Sequence, residues 1–90
     1  MTVLDELKEL PAAIREIKDE LGDKVGWSIS EITSTEHFMG PGLALHLIGP
    51  GSDAHPGQIQ VFEKSHGSLH RCALNAISRY QRRAAGESGA

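Results

Sequence analysis

The sequence has little cysteine and few aromatic residues: one cysteine, one tryptophan, one tyrosine and two phenylalanines among 90 residues. The lone Cys72 cannot form an internal disulfide. No run of 18 apolar residues and no charged segment followed by an apolar signal sequence is present. We therefore expect a soluble cytoplasmic protein without a membrane partner, whose core consists mostly of aliphatic side chains.

The length predicts a single domain, because 90 residues provide only one modest core. We expect this domain to be compact over residues 1–84. The last six residues, 85–90, lack apolar periodicity and are predicted to be a frayed tail.

The first helix is predicted from apolar residues that recur at spacings of three and four between Val3 and Leu21. Gly22 follows the last of them and is typical of a helix end. Pro11 lies in the middle, where it removes one backbone donor and clashes with the carbonyl of Leu7. The pattern therefore predicts a helix over residues 3–21 with a kink or a break near Pro11.

Three strands are predicted next, within "WSISEITSTE", "LALHLI" and "QIQVFEK". In the first of these segments the apolar alternation fails after Ile29, and a bulge near Ser30 and Glu31 would restore it. A periodicity of 3.6 returns after Gly67 and predicts a second helix over residues 68–84. The fold class is thus α+β, in the order α-β-β-β-α, with a three-stranded antiparallel sheet and two helices on one face.

The residues expected to be best buried are the apolar positions that face inward in these elements. They are Leu7, Ile14, Ile17, Leu45, Ile59, Val61, Leu69, Ala73 and Ile77. Two Gly-Pro-Gly tripeptides, at residues 40–42 and 49–51, flank the central strand. Each proline removes an amide that a phosphate cradle would use, so both tripeptides are interpreted as turns.

The spacing of the Ser, Asp, His and Cys residues does not indicate a catalytic or cofactor-binding site. Ser52, Asp53 and His55 are close in the sequence, but a catalytic triad needs groups from separate elements around an oxyanion hole. The five histidines and Cys72 lack the short ligand spacing of structural zinc sites. We therefore expect a non-enzymatic protein with no catalytic residue, no metal and no cofactor.

Two surfaces remain as candidate binding sites. The first is "HFMGPG", where Phe38 and Met39 lie in a connection. They either fold back against the edge of the thin core or form an exposed anchor for a partner. The second is the last helix, where Arg71, Arg79 and Arg82 share one face. The range 64–86 contains no acid.

The functional prediction is a small interaction module of the inhibitor or adaptor type that binds another protein through Phe38 and Met39. An alternative is a nucleic-acid-binding domain that uses Arg71, Arg79 and Arg82. This alternative requires that the acidic first helix does not neutralise the arginines. A further alternative is a homodimer formed by pairing the apolar stripe of the first helix with its own copy.

Overall fold

A computed structural model describes residues 3–36 and 40–86. The elements in chain order are α1 Val3–Leu7, α2 Leu10–Leu21, β1 Gly26–Ile32, β2 Gly42–Pro50, β3 Gln58–Lys64 and α3 Leu69–Ala84. The strands form one antiparallel sheet in the order β1-β2-β3. This architecture confirms the predicted α+β class.

The predicted first helix is divided in two, as the position of Pro11 indicated. α1 ends at Leu7, α2 begins at Leu10, and Pro11 lies in the first turn of α2. The first N–H groups of a helix have no partner within the helix, so proline at this position costs no helical hydrogen bond. The break is therefore confirmed, and it lies just before the proline.

The predicted bulge in the first strand is wrong. β1 pairs with β2 residue for residue along the whole of Gly26–Ile32, without an extra residue at Ser30 or Glu31. The alternation of side chains is kept because Ile32 lies on the opposite face of the sheet from Ile29, which packs against the core. Glu31 takes the position on the helical face and is exposed there.

The core lies between one face of the sheet and the two long helices. Seven of the nine residues expected to be best buried are buried, and the other two, Leu7 and Ile14, are only half-buried. α2 presents Ala13 to the core together with the predicted Ile17, and each is about 1% exposed. The small side chain of Ala13 allows α2 to pack closely, and Ile14 lies to one side of the contact.

The two Gly-Pro-Gly tripeptides do not have the same role. Gly42 has a φ of +129°, a backbone conformation that favours glycine, and it is the first residue of β2. Gly49 and Pro50 belong to β2 itself. The prediction of a turn is therefore wrong for these two residues, and the connection to β3 begins at Gly51.

Gly49 is required by packing against α3. A Cβ atom at this position would overlap the hydroxyl of Tyr80 and lie 2.8 Å from Cγ2 of Val25. The Tyr80 hydroxyl donates a hydrogen bond to the carbonyl oxygen of Pro50 at 2.7 Å. The absence of a side chain at Gly49 thus lets the ring of Tyr80 close one end of the core.

Candidate interaction surfaces

The residues predicted to bind partners differ in their exposure, and two of them are not described by the structure. Phe38 and Met39 lie outside the described residues. Arg71 and Arg82 are exposed on α3, whereas Arg79 is half-buried. The three arginines thus do not form one uniformly exposed surface.

Arg79 has a structural role at the edge of the sheet. Its Nη1 donates to Oε2 of Glu63 at 2.8 Å and to the carbonyl oxygen of Phe62 at 3.2 Å. Arg83, one turn further along α3, donates to the carbonyl oxygen of Gln60. Glu63, an acid of β3, therefore offsets the charge of Arg79.

Glu6 of α1 binds the segment that leads into α3. Its Oε1 accepts hydrogen bonds from the hydroxyl of Ser65 at 2.6 Å and from the backbone N–H of Gly67 at 2.9 Å. Glu6 is only 8% exposed. A buried carboxylate needs such donors to compensate its lost hydration, so this contact ties the start of the chain to the start of α3.

Glu9 makes a second contact of the same kind. Its Oε1 accepts from the Ser68 hydroxyl at 2.9 Å and from the backbone N–H of His70 at 3.1 Å. The His70 N–H and the Ser68 hydroxyl hold the pKa of Glu9 below its ordinary value. The acids of the first helix thus satisfy the unpaired donors at the beginning of α3 and do not cover its basic face.

A further surface is the face of the sheet that points away from the helices, which we call the open face. The register assigns it the alternate residues of each strand. They include Ser28, Ser30 and Ile32 of β1, Ala44, His46 and Ile48 of β2, and Gln60, Phe62 and Lys64 of β3.

The most exposed apolar side chain of the open face is Phe62, which is 51% exposed. Its ring stacks on that of His46, with ring centroids 4.2 Å apart and planes 2° apart. His46 Nε2 donates to Oε1 of Gln60 at 3.2 Å. The alternation in "QIQVFEK" predicts that Phe62 lies on the other face of the sheet from Ile59 and Val61. Its pairing with His46 depends on the strand register.

The open face is also distinct in charge. The register places Lys64 on it. The two acids of the strands, Glu31 and Glu63, are on the opposite face, which packs against the helices. Within the strands, the charge of the open face is therefore positive, and it lies next to the exposed ring of Phe62.

The loop residues considered for catalysis form a local turn. The backbone N–H of Ser52 donates to the carbonyl of His55 at 2.8 Å, and the Ser52 hydroxyl donates to the carbonyl of Ala84. Asp53 is exposed. These contacts attach the loop to the end of α3, and the absence of enzymatic activity stays a prediction.

Cys72 is buried in the core, where its Sγ donates to the carbonyl of Glu63 at 3.4 Å. Burial, with a smaller effect from the charge of Glu63, raises the pKa of Cys72 to about 12. The thiol is therefore protonated at neutral pH and is a poor nucleophile. Within residues 3–36 and 40–86, no three His, Cys, Asp or Glu side chains are grouped so that they could hold a metal ion.

In the part of the chain that the structure describes, the helices pack on one face of the sheet and leave the other uncovered, which makes this a small α+β domain. None of the helices in the described ranges has the length and apolar character needed to cross a membrane. Comparison of the chain with protein-family models, curated proteins and solved structures gives no match. The chemistry of its own surfaces is therefore the basis for a functional proposal.

Proposed function

We propose that this chain is a non-enzymatic module of the cytoplasm that binds another protein, as a small inhibitor or adaptor does. The observation that carries the proposal is Phe62, a large apolar side chain that is half exposed on a sheet face covered by none of the helices in residues 3–36 and 40–86. Exposed aromatic side chains with apolar neighbours are typical anchors of protein interfaces.

The open face indicates the chemistry of the partner. The stacked rings of Phe62 and His46 provide an aromatic surface, and Lys64 provides a positive charge two residues further along β3. We therefore propose a partner segment with an apolar residue that contacts Phe62 and a carboxylate near Lys64. Phe38 and Met39 remain part of the proposal as a second anchor in the connection between β1 and β2.

A peptide-display selection against the immobilised chain tests this proposal. We expect it to enrich peptides with apolar and acidic residues, and calorimetry should give their affinities. Phe62→Ala should weaken binding by more than about 1 kcal/mol, because an anchor loses its buried contact area. Phe38→Ala or Met39→Ala should weaken binding by a similar amount if the loop contributes.

Leu74→Ala is the matched control, because Leu74 is an apolar residue of α3 that is 43% exposed. This variant should bind the selected peptides as the unchanged chain does. Circular dichroism should show that each variant is folded. Selected peptides that bind the Phe62 and Leu74 variants equally well would exclude the open face as the binding surface.

Nucleic-acid binding through α3 is the second candidate function. It is supported by Arg71 and Arg82, which are exposed and have no ion-pair partner within the described ranges. Against it, Arg79 is held by Glu63, and the net charge of the chain is −3. General affinity for a phosphate backbone normally requires a basic surface.

Titration into labelled duplex and single-stranded oligonucleotides separates the two functions. We expect weak binding or none, because one of the three arginines is already paired. If the arginines contact phosphates, removal of one should reduce the logarithmic salt slope by about one unit. Arg71→Ala with Arg82→Ala is the cleanest variant, since it leaves the Arg79 contacts intact. Saturable low-micromolar binding that this variant abolishes would replace the protein-binding proposal.

A further inference from the structure

The two outer edges of the sheet differ in how they are protected. β3 is the outer strand on one side, and the carbonyls of Gln60 and Phe62 on its outer edge accept hydrogen bonds from Arg83 and Arg79. Occupied edge carbonyls and a nearby positive charge prevent a further strand from pairing. Arg79 and Arg83 of α3 thus protect the outer edge of β3 from pairing with another strand.

β1 forms the other edge, and its outward backbone groups can be identified from the register. In an antiparallel pair, alternate residues direct both N–H and C=O towards the partner strand. The Ser65 N–H donates to Leu43, so the odd-numbered residues of β2 bond β3 and the even-numbered ones bond β1. Hence Trp27, Ile29 and Glu31 direct their backbone groups outward.

No other element in the described ranges hydrogen-bonds to this outer edge of β1. The strand contains no lysine and no proline, the residues that commonly protect an edge. Trp27 is half-buried, and its indole N–H has no acceptor among the described residues. This edge therefore presents unpaired backbone groups together with one unused side-chain donor.

We propose that β1 pairs with β1 of a second copy of this chain, antiparallel and centred on Ile29. This register pairs the strand Gly26–Ile32 along its full length, because Ile29 is its middle residue. Ile29 meets Ile29 of the partner subunit, and Trp27 meets the partner's Glu31. Each of these outward pairs exchanges two backbone hydrogen bonds.

The side chains of β1 are complementary to themselves in this register. The only charge on the strand, Glu31, lies opposite an indole N–H donor and not opposite its own copy. Ser28 lies opposite the partner's Ser30, a pair that can exchange a hydrogen bond across the strands. In the neighbouring register, Ile29 would pair with the partner's Glu31. The two Glu31 side chains would then lie closer together, and like charges repel.

The dimer has a consequence for the open face. The two-fold axis of an antiparallel strand pair is perpendicular to the sheet, so both helical layers lie on one side and both open faces on the other. The stripe of the first helix is not the route of self-association, because Ile17 of that stripe is buried and Leu10 and Leu21 pack against the same core. Edge pairing is independent of the proposed partner contact at Phe62.

Sedimentation equilibrium of the whole chain, together with Trp27 fluorescence, tests the proposal. Between about 1 μM and about 1 mM, the mass should rise from 9.7 kDa towards twice that value, since a single strand pair is a small interface of moderate affinity. Trp27 is the only tryptophan, so its emission should change over the same concentration range.

Glu31→Pro is the decisive variant, because it removes an outward N–H and leaves the bonds between β1 and β2 intact. It should weaken dimerisation by at least tenfold. Gln58→Pro is the matched control, since Gln58 has the outward parity at the start of β3, and it should dimerise normally. Trp27→Phe retains a ring without the donor and should weaken the dimer by a smaller factor.

Two results would overturn the proposal. One is an unchanged chain that remains monomeric over the whole concentration range, which would leave the β1 edge to a strand of a different protein. The other is an equal loss of dimer in the Glu31 and Gln58 variants, both still folded by circular dichroism. Neither result bears on the peptide-binding test, which depends on Phe62.

Discussion

Leu45→Ala should lower the free energy of unfolding by about 2 to 5 kcal/mol, the usual cost of a large cavity in a core. Leu45 is 1% exposed in the middle strand of the sheet, where β1 and β3 lie on either side and the helices pack above it. A domain of this size has one modest core and little reserve of stability. Urea unfolding followed by circular dichroism measures the change.

Leu4→Ala is the control for this prediction, because the same side chain is 73% exposed in α1. Its cost should stay within about 0.5 kcal/mol, as for most surface substitutions. If Leu45→Ala also costs less than about 0.5 kcal/mol, Leu45 does not lie in the core and the assigned face of β2 is wrong.

Glu6→Ala should lower the free energy of unfolding by about 1 to 3 kcal/mol, although it replaces a charged residue of a short helix. The substitution leaves the hydroxyl of Ser65 and the N–H of Gly67 without their acceptor. Ser65 is 5% exposed, so water has little access to replace the lost bond, and an unpaired buried donor costs about 1 to 3 kcal/mol. Urea unfolding is again the measurement.

Glu20→Ala provides the comparison for Glu6, since Glu20 is an exposed acid of α2 and should contribute little. Glu6→Gln retains an acceptor oxygen without the charge and should fall between the two. A Glu6→Ala variant as stable as Glu20→Ala would show that α1 does not hold the start of α3.

The first helix and the open face show which features of the site could be predicted. Pro11 predicted the break because its missing N–H acts within one turn of the chain. The parity of "QIQVFEK" likewise separated Phe62 from Ile59 and Val61. The contact of Glu6 with Ser65 joins residues 59 positions apart. No local pattern marks it, so Glu6 looked like any other acid of an exposed helical face.

Local sequence patterns were enough to predict the strands, the long helices and the α+β class, because hydrophobic periodicity, proline and glycine act over a few residues. Three contacts could be assigned only from the folded chain: Arg79 pairs with Glu63, His46 stacks on Phe62, and Gly49 leaves space for Tyr80. Each of these contacts depends on strand register and helix position. Register and position are set by the packing of the whole core, which no short stretch of sequence specifies.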